Sequence, residues 1–216
     1  YDANIKFLIQ QAELRKSELQ SNSVQDFVKL LQQIARDKEG LNLSNVEISA
    51  YASPDGGVKL NEKLANQRQQ NTESYVRQQM KDANVEGGVS SEYTAQDWEG
   101  FKELVKASNI PDKDVILRVL SMYQDPQERE QQIKNMSKGF KELADGILPE
   151  LRRARMTINY EVIGRDDEQI FEQYKKDASK LSVEELIYAA IIAPTTSEKE
   201  DILKTTTKLY PKDARS

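Results

Sequence analysis

The feature that most constrains the fold is a change of hydrophobic period along the chain. Apolar and polar residues alternate in Val46–Tyr51 and again in Arg155–Val162, which is the pattern of half-buried strands. Around these two segments, apolar residues recur every three or four positions, as they do along one face of a helix. A chain that mixes the two periods in this way predicts an α+β fold.

The predicted elements follow one another as strand, helix, strand, helix, strand, helices and strand. Ile5–Ile9 and Val89–Thr94 supply the other two strands, and a long polar helix is expected from about Asn61 to Met80. Residues from about 97 to 148 are helical in pattern and are inserted before the last strand. We therefore predict a β-α-β-α-β-(helical insertion)-β mixed sheet with helices on one face, formed by residues 1–164.

Four residues mark where helices are expected to begin. Ser23 has the pattern of an N-cap before the first long helix. In the insertion, Asp97 precedes Trp98 and Phe101, which are expected to be core residues. Asp112 is expected to cap the next helix. Asp125 is followed by Pro126, which suits the first position of a helix.

Residues 165–216 show no strand pattern and are predicted to form a helical hairpin behind the sheet domain. Ser182 with Glu185, and Ser197 with Glu200, have the spacing of capping boxes. The run Ile202–Arg215 resembles the second helix of a tetratricopeptide unit. Such a unit buries its apolar face by stacking on neighbours, so the resemblance implies a truncated array with more repeats following, and a strand-like start suggests a trimmed N-terminus.

The amino-acid composition excludes several classes of catalytic and metal site. The chain contains neither histidine nor cysteine, so Ser–His–Asp and Cys–His catalysis and the usual zinc sites cannot be built, and we expect no metal and no cofactor. A pair of carboxylates is still open as an acid–base arrangement, but 36 acidic residues make some pair expected by chance. The net charge of −5 argues against nucleic acid, and no apolar run is long enough to span a membrane. We predict a protein that is not an enzyme.

Two segments carry a resemblance to a known family. Val46–Val76 reads VEISAYASPDGGVKLNEKLANQRQQNTESYV, and Leu151–Ile158 reads LRRARMTI. They resemble the two signature segments of OmpA-like C-terminal domains, a strand and turn before an Asn–Leu–Ala–Arg helix and an arginine-rich start of the last strand. The resemblance covers about residues 5–163. It implies a non-catalytic module of the bacterial periplasm, associated with the outer membrane, that binds peptidoglycan through the diaminopimelate of its stem peptide.

The resemblance also assigns ligand-binding residues. Arg68 matches the arginine that clamps a ligand carboxylate, and Asn61 matches the family's asparagine. Arg155 is the better match to the arginine at the last strand, with Arg152 in reserve. Ser53 stands where the family has a ligand-binding aspartate, and Asp55 is a possible substitute two residues later.

Other interpretations of these residues stay open. Arg68 on so polar a helix could be merely solvated, so Arg68→Ala is expected to change stability by no more than about 0.5 kcal/mol. Asn61 could be a helix N-cap, Asp55 a turn residue, and the cluster Arg152, Arg153 and Arg155 a solvated helix end. The departure at Ser53 leaves an alternative function: an envelope protein–protein interaction module that has lost the peptidoglycan site and docks partners through the helical tail or the inserted helices.

Overall fold

The computed structural model describes residues 1–135, 142–213 and 215. The strands are β1 (Asp2–Lys6), β2 (Leu41–Tyr51), β3 (Gly88–Thr94) and β4 (Arg153–Val162). The helices are α1 (Lys16–Leu19), α2 (Asn22–Arg36), α3 (Val58–Ala83), α4 (Trp98–Ala107), α5 (Lys113–Met122), α6 (Pro126–Lys134), α7 (Leu148–Leu151), α8 (Asp167–Asp177), α9 (Val183–Ile192) and α10 (Thr196–Leu209). A π-helical turn, Leu143–Ile147, leads into α7, and a 3-10 turn, Ala178–Lys180, follows α8. The predicted α+β class is confirmed.

The four strands form one mixed sheet in the order β1-β4-β2-β3. β1 runs antiparallel to β4, and β2 runs parallel to β3. Burial alternates along β4, where Ala154, Met156 and Ile158 are buried and the residues between them are not. The same alternation in β2 buries Val46 and Ile48, so one face of the sheet is covered and the other is open.

Two predicted boundaries near the N-terminus are wrong. The first strand is Asp2–Lys6, and Leu8 and Ile9 lie beyond it with 45% and 57% of their surfaces exposed. The chain leaves the sheet here, and the Leu8 carbonyl accepts a bond from Arg68. Helix α2 begins at Asn22, where the Ser21 hydroxyl accepts from the Val24 N–H, so Ser23 is not its N-cap.

The chain folds as two compact units, Tyr1–Leu31 with Ser44–Asn159 and Gln32–Leu43 with Tyr160–Ser216. In the first unit, the helical insertion has its own apolar core, which contains Phe101, as predicted, with Trp98 packed against it. Residues 136–141 of the insertion lie outside the described part of the chain.

Two of the three caps predicted in the insertion form as expected, whereas Asp112 stands at the N-cap position of α5 without a capping hydrogen bond from its side chain. Asp97 accepts a bond from the Gly100 N–H, and Asp125 accepts from two N–H groups at the start of α6, where Pro126 is the first residue. Both predictions are confirmed. The physical reason is local, because a side chain one position before a helix reaches the unpaired N–H groups of its first turn.

The second unit contains the C-terminal helices. Ser182 and Glu185 form the predicted capping box at α9, but α10 is capped by Thr195 through the Glu198 N–H, so the box predicted at Ser197 is wrong. Thr195 has extended backbone angles and the helix begins at Thr196, so Ser197 already lies inside the first turn. No helix among the described residues is both long and apolar enough to cross a membrane.

A buried ionic group lies within the second unit. The Arg165 guanidinium bonds the carboxylate of Asp37 and, at 3.1 Å, that of Glu185. Burial alone would lower the pKa of Arg165, but its bonds to Asp37 and Glu185 outweigh burial and raise the pKa. The exposed fractions of the Arg165 and Asp37 side chains are 7% and 3%, so this group is part of the interior.

Candidate functional site

Helix α3 carries Arg68 on its buried stripe. The buried residues of the helix recur every three or four positions: Asn61, Leu64, Ala65, Arg68, Thr72, Val76 and Met80. Arg68 is 0% exposed and is the largest of the fully buried side chains. The expectation of a solvated arginine is therefore wrong. Arg68 lies four residues after Leu64 and eight before Val76, so the helical period alone placed it among the buried residues.

The Arg68 guanidinium is held by carbonyl groups of the main chain. Its Nε donates to the Gln11 oxygen at 2.9 Å, its Nη1 to the Tyr51 oxygen at 2.9 Å, and its Nη2 to the Leu8 oxygen at 3.3 Å. The guanidinium carbon also lies 5.0 Å from the centre of the Phe7 ring. One side chain thus ties together the end of β2, the helix α3 and the segment after β1.

Asn61 holds the turn that precedes α3. Its Nδ2 donates to the carbonyl oxygens of Ser53, at 3.2 Å, and Asp55, at 3.1 Å. The Ser53 hydroxyl donates to the Asp55 carboxylate, and Gly56 has a φ of 96°, a value that favours glycine. Gly57 is the N-cap of α3, so Asn61 is not a cap but a clamp on the turn.

Arg152 completes the cluster around the turn. Its Nη2 lies 3.8 Å from Oδ2 of Asp55, and 11% of its side chain is exposed. Burial, reinforced by the positive charge of Arg152 and opposed by the negative charge of Asp55, lowers the pKa of Arg68 to about 10. Arg68 nevertheless keeps its charge at neutral pH. Two arginines and one carboxylate therefore share one small region.

Five of the six predicted site residues converge: Ser53, Asp55, Asn61, Arg68 and Arg152. Arg155 does not. It is exposed on β4, on the face opposite to Ala154 and Met156, and it pairs in register with Asn4. Because side chains alternate along a strand, Arg155 faces the open side of the sheet. Arg152, the reserve candidate, is the arginine of this cluster.

A side chain of the helical insertion contacts the turn of this cluster. The Gly56 N–H donates to Oε1 of Glu130 at 3.2 Å. Glu130 comes from helix α6 of the insertion and also pairs with Lys134 at 2.6 Å. The sequence gives no signal of this contact, because it joins residues 74 positions apart.

The space next to the turn is small and apolar. A cavity of about 20 Å³ lies there, and the described residues that line it are Pro54, Asp55, Trp98, Phe101, Glu130, Ile133, Leu143 and Leu148. That volume holds roughly one water molecule. Among the described residues, no group of three acidic side chains is placed to hold a metal ion.

No model of a known protein family matches this sequence, and no curated protein matches it at a significant level.

Proposed function

We propose that the chain is a non-catalytic module of a bacterial cell envelope, located in the periplasm next to the outer membrane, that serves as a protein–protein interaction module. The OmpA-like sequence segments support the placement in the envelope, and the absence of histidine and cysteine supports a non-catalytic role. The interaction role rests on one observation above all: the arginine expected to clamp a ligand is fully buried.

A carboxylate ligand needs a guanidinium whose N–H groups it can reach. In this chain each guanidinium nitrogen of Arg68 already donates to a main-chain carbonyl. A ligand would have to displace the segment that contains Leu8 and Gln11 before it could bind. That displacement would break two hydrogen bonds from a charged donor, each worth about 1.5–3 kcal/mol.

The turn presents the same obstacle. A ligand carboxylate would take the N–H of Gly56, but the carboxylate of Glu130 accepts from it already. Asp55, the possible acceptor for a ligand ammonium, is engaged by Ser53 and lies beside Arg152. In our proposal, the residues that match the OmpA-like site therefore hold the turn in place. They do not form an open peptidoglycan site.

The C-terminal helices supply the docking surface in this proposal. Tyr188 and Ile191 lie three positions apart on α9 with 43% and 68% of their surfaces exposed, and Leu203 on α10 is 37% exposed. Large apolar side chains at such spacing on paired helices are the contacts that helical repeats use to stack on a neighbour.

The first experiment measures binding to purified peptidoglycan sacculi by co-sedimentation, with diaminopimelate as competitor. We expect no retention above that of a protein without affinity for the cell wall. Retention that diaminopimelate abolishes would restore peptidoglycan anchoring as the function. An Arg68→Lys variant is the matched control, because it keeps the charge and alters the clamp.

The second experiment tests the interaction role in cells. A photo-activated cross-linking residue is introduced at Ile191, and a matched one is introduced at Lys199, which is exposed and charged on α10. We expect one discrete cross-linked protein from position 191 and none from position 199. The same pattern from both positions, or no product from either, contradicts a docking surface at Ile191.

A further inference from the structure

The strand β3 forms an open edge of the sheet. It is the last strand in the order β1-β4-β2-β3, and it pairs with β2 alone. Beyond that ladder, the Thr94 carbonyl at the end of β3 accepts a hydrogen bond from the Ala52 N–H. Gly88, Ser90 and Glu92 are exposed. A free edge strand is a template for pairing with another strand.

The sequence of β3 lacks the usual protection of an edge. Its seven residues, GVSSEYT, contain no lysine and no proline. The one charged residue, Glu92, has its carboxylate 3.3 Å from the Ser49 hydroxyl on the open face of the sheet. Natural edges are commonly blunted by lysine, proline or a bulge, so a regular edge of this length with a single charged residue is suited to a partner.

The direction of the backbone groups on β3 follows from one bond. The Thr94 carbonyl points toward β2, because it accepts from Ala52. The N–H and C=O groups of one residue point to the same side of a strand, and successive residues alternate. Gly88, Ser90 and Glu92 therefore also point toward β2. The backbone groups of Val89, Ser91 and Tyr93 point outward.

We propose that two copies of this chain pair through β3, antiparallel and centred on Ser91. In that register Ser91 faces Ser91 of the other copy, and Val89 faces Tyr93. All three of these residues have outward backbone groups, which matches the alternation of an antiparallel ladder and gives about six hydrogen bonds between the chains. The two four-stranded sheets become one continuous sheet.

The side chains are also complementary in this register. Ser91 and Tyr93 lie on the side of α3, where they bond Gln69 at 2.7 Å and Glu62 at 3.5 Å. Val89 shares that side, so each copy places a β-branched side chain opposite an aromatic one, a favourable cross-strand pair. On the other side Glu92 faces Ser90, so no like charges meet.

Sedimentation equilibrium of the whole chain, from micromolar to near-millimolar concentration, tests the pairing. We expect a reversible dimer. Ser90→Glu places a second carboxylate opposite Glu92 at two equivalent positions and is expected to weaken the dimer about three- to tenfold. Ser90→Lys, an equally exposed charge at the same position, is expected to retain or strengthen it.

Cysteine cross-linking fixes the register, because the natural chain has no cysteine. Ser90 and Glu92 would face each other as a pair without hydrogen bonds, with a Cα separation of about 4.5 Å that a disulfide can span. A mixture of Ser90→Cys and Glu92→Cys chains is therefore expected to cross-link faster than either variant alone. A chain that stays monomeric at every concentration overturns the proposal, as does a dimer that Ser90→Glu leaves unchanged. Equal cross-linking in all three samples overturns it as well.

Discussion

Replacing Arg68 with alanine is expected to destabilise the first unit severely. The substitution removes three hydrogen bonds of 2.9, 2.9 and 3.3 Å and leaves their main-chain acceptors without the charged donor. A buried acceptor left unpaired costs about 1–3 kcal/mol, and some of that is recovered if water enters the space. The loss of contact with the Phe7 ring adds to the cost. We therefore expect a decrease of about 3–5 kcal/mol in the free energy of unfolding.

Urea unfolding followed by tryptophan fluorescence measures this change. Trp98 is the single tryptophan of the chain, and it lies in the same compact unit as Arg68, so its signal reports the relevant unfolding. The matched control is Arg77→Ala on the same helix. Arg77 has 58% of its side chain exposed and pairs with Glu73 at 3.3 Å, so its loss is expected to cost no more than about 0.5 kcal/mol.

The comparison of the two arginines decides whether the clamp is structural. If Arg68→Ala and Arg77→Ala lower stability by the same small amount, the buried clamp does not exist in solution, and the original expectation of a solvated Arg68 is restored. The peptidoglycan site predicted from the sequence would then be accessible to a ligand. A large loss at Arg68 alone supports the closed site on which the proposed function rests.

Two further substitutions test single contacts. Asn61→Ala removes both bonds to the turn carbonyls and should cost about 1–2 kcal/mol by urea unfolding, whereas Asn71→Ala, which loses one exposed bond to Ala12, should cost less than about 0.5 kcal/mol; equal losses would contradict the clamp on the turn. Arg165→Met leaves the buried Asp37 carboxylate without its cation and should destabilise the second unit by about 3–5 kcal/mol, measured by circular dichroism of its helices. A change below about 1 kcal/mol would show that water reaches Asp37.

Several elements could be predicted because their causes are local. The alternation in Val46–Tyr51 placed β2, and Asp97 and Asp125 placed the starts of α4 and α6. Each depends on residues within one or two turns of one another. Where two local signals competed, as with Thr195 and Ser197, the choice depended on the path of the chain after Pro194, and sequence spacing alone chose wrongly.

The sequence by itself determined that the chain forms a mixed α+β fold, that residues 53–68 build a turn and a helix, and that histidine and cysteine chemistry is excluded. Tertiary structure alone decided whether that turn is open. The Arg68 guanidinium donates hydrogen bonds to the carbonyls of Leu8 and Gln11, and the Gly56 N–H donates one to Glu130. These contacts join residues 57 to 74 positions apart. No periodic pattern encodes them, because they depend on how the segment after β1 and the inserted helices pack over the end of β2.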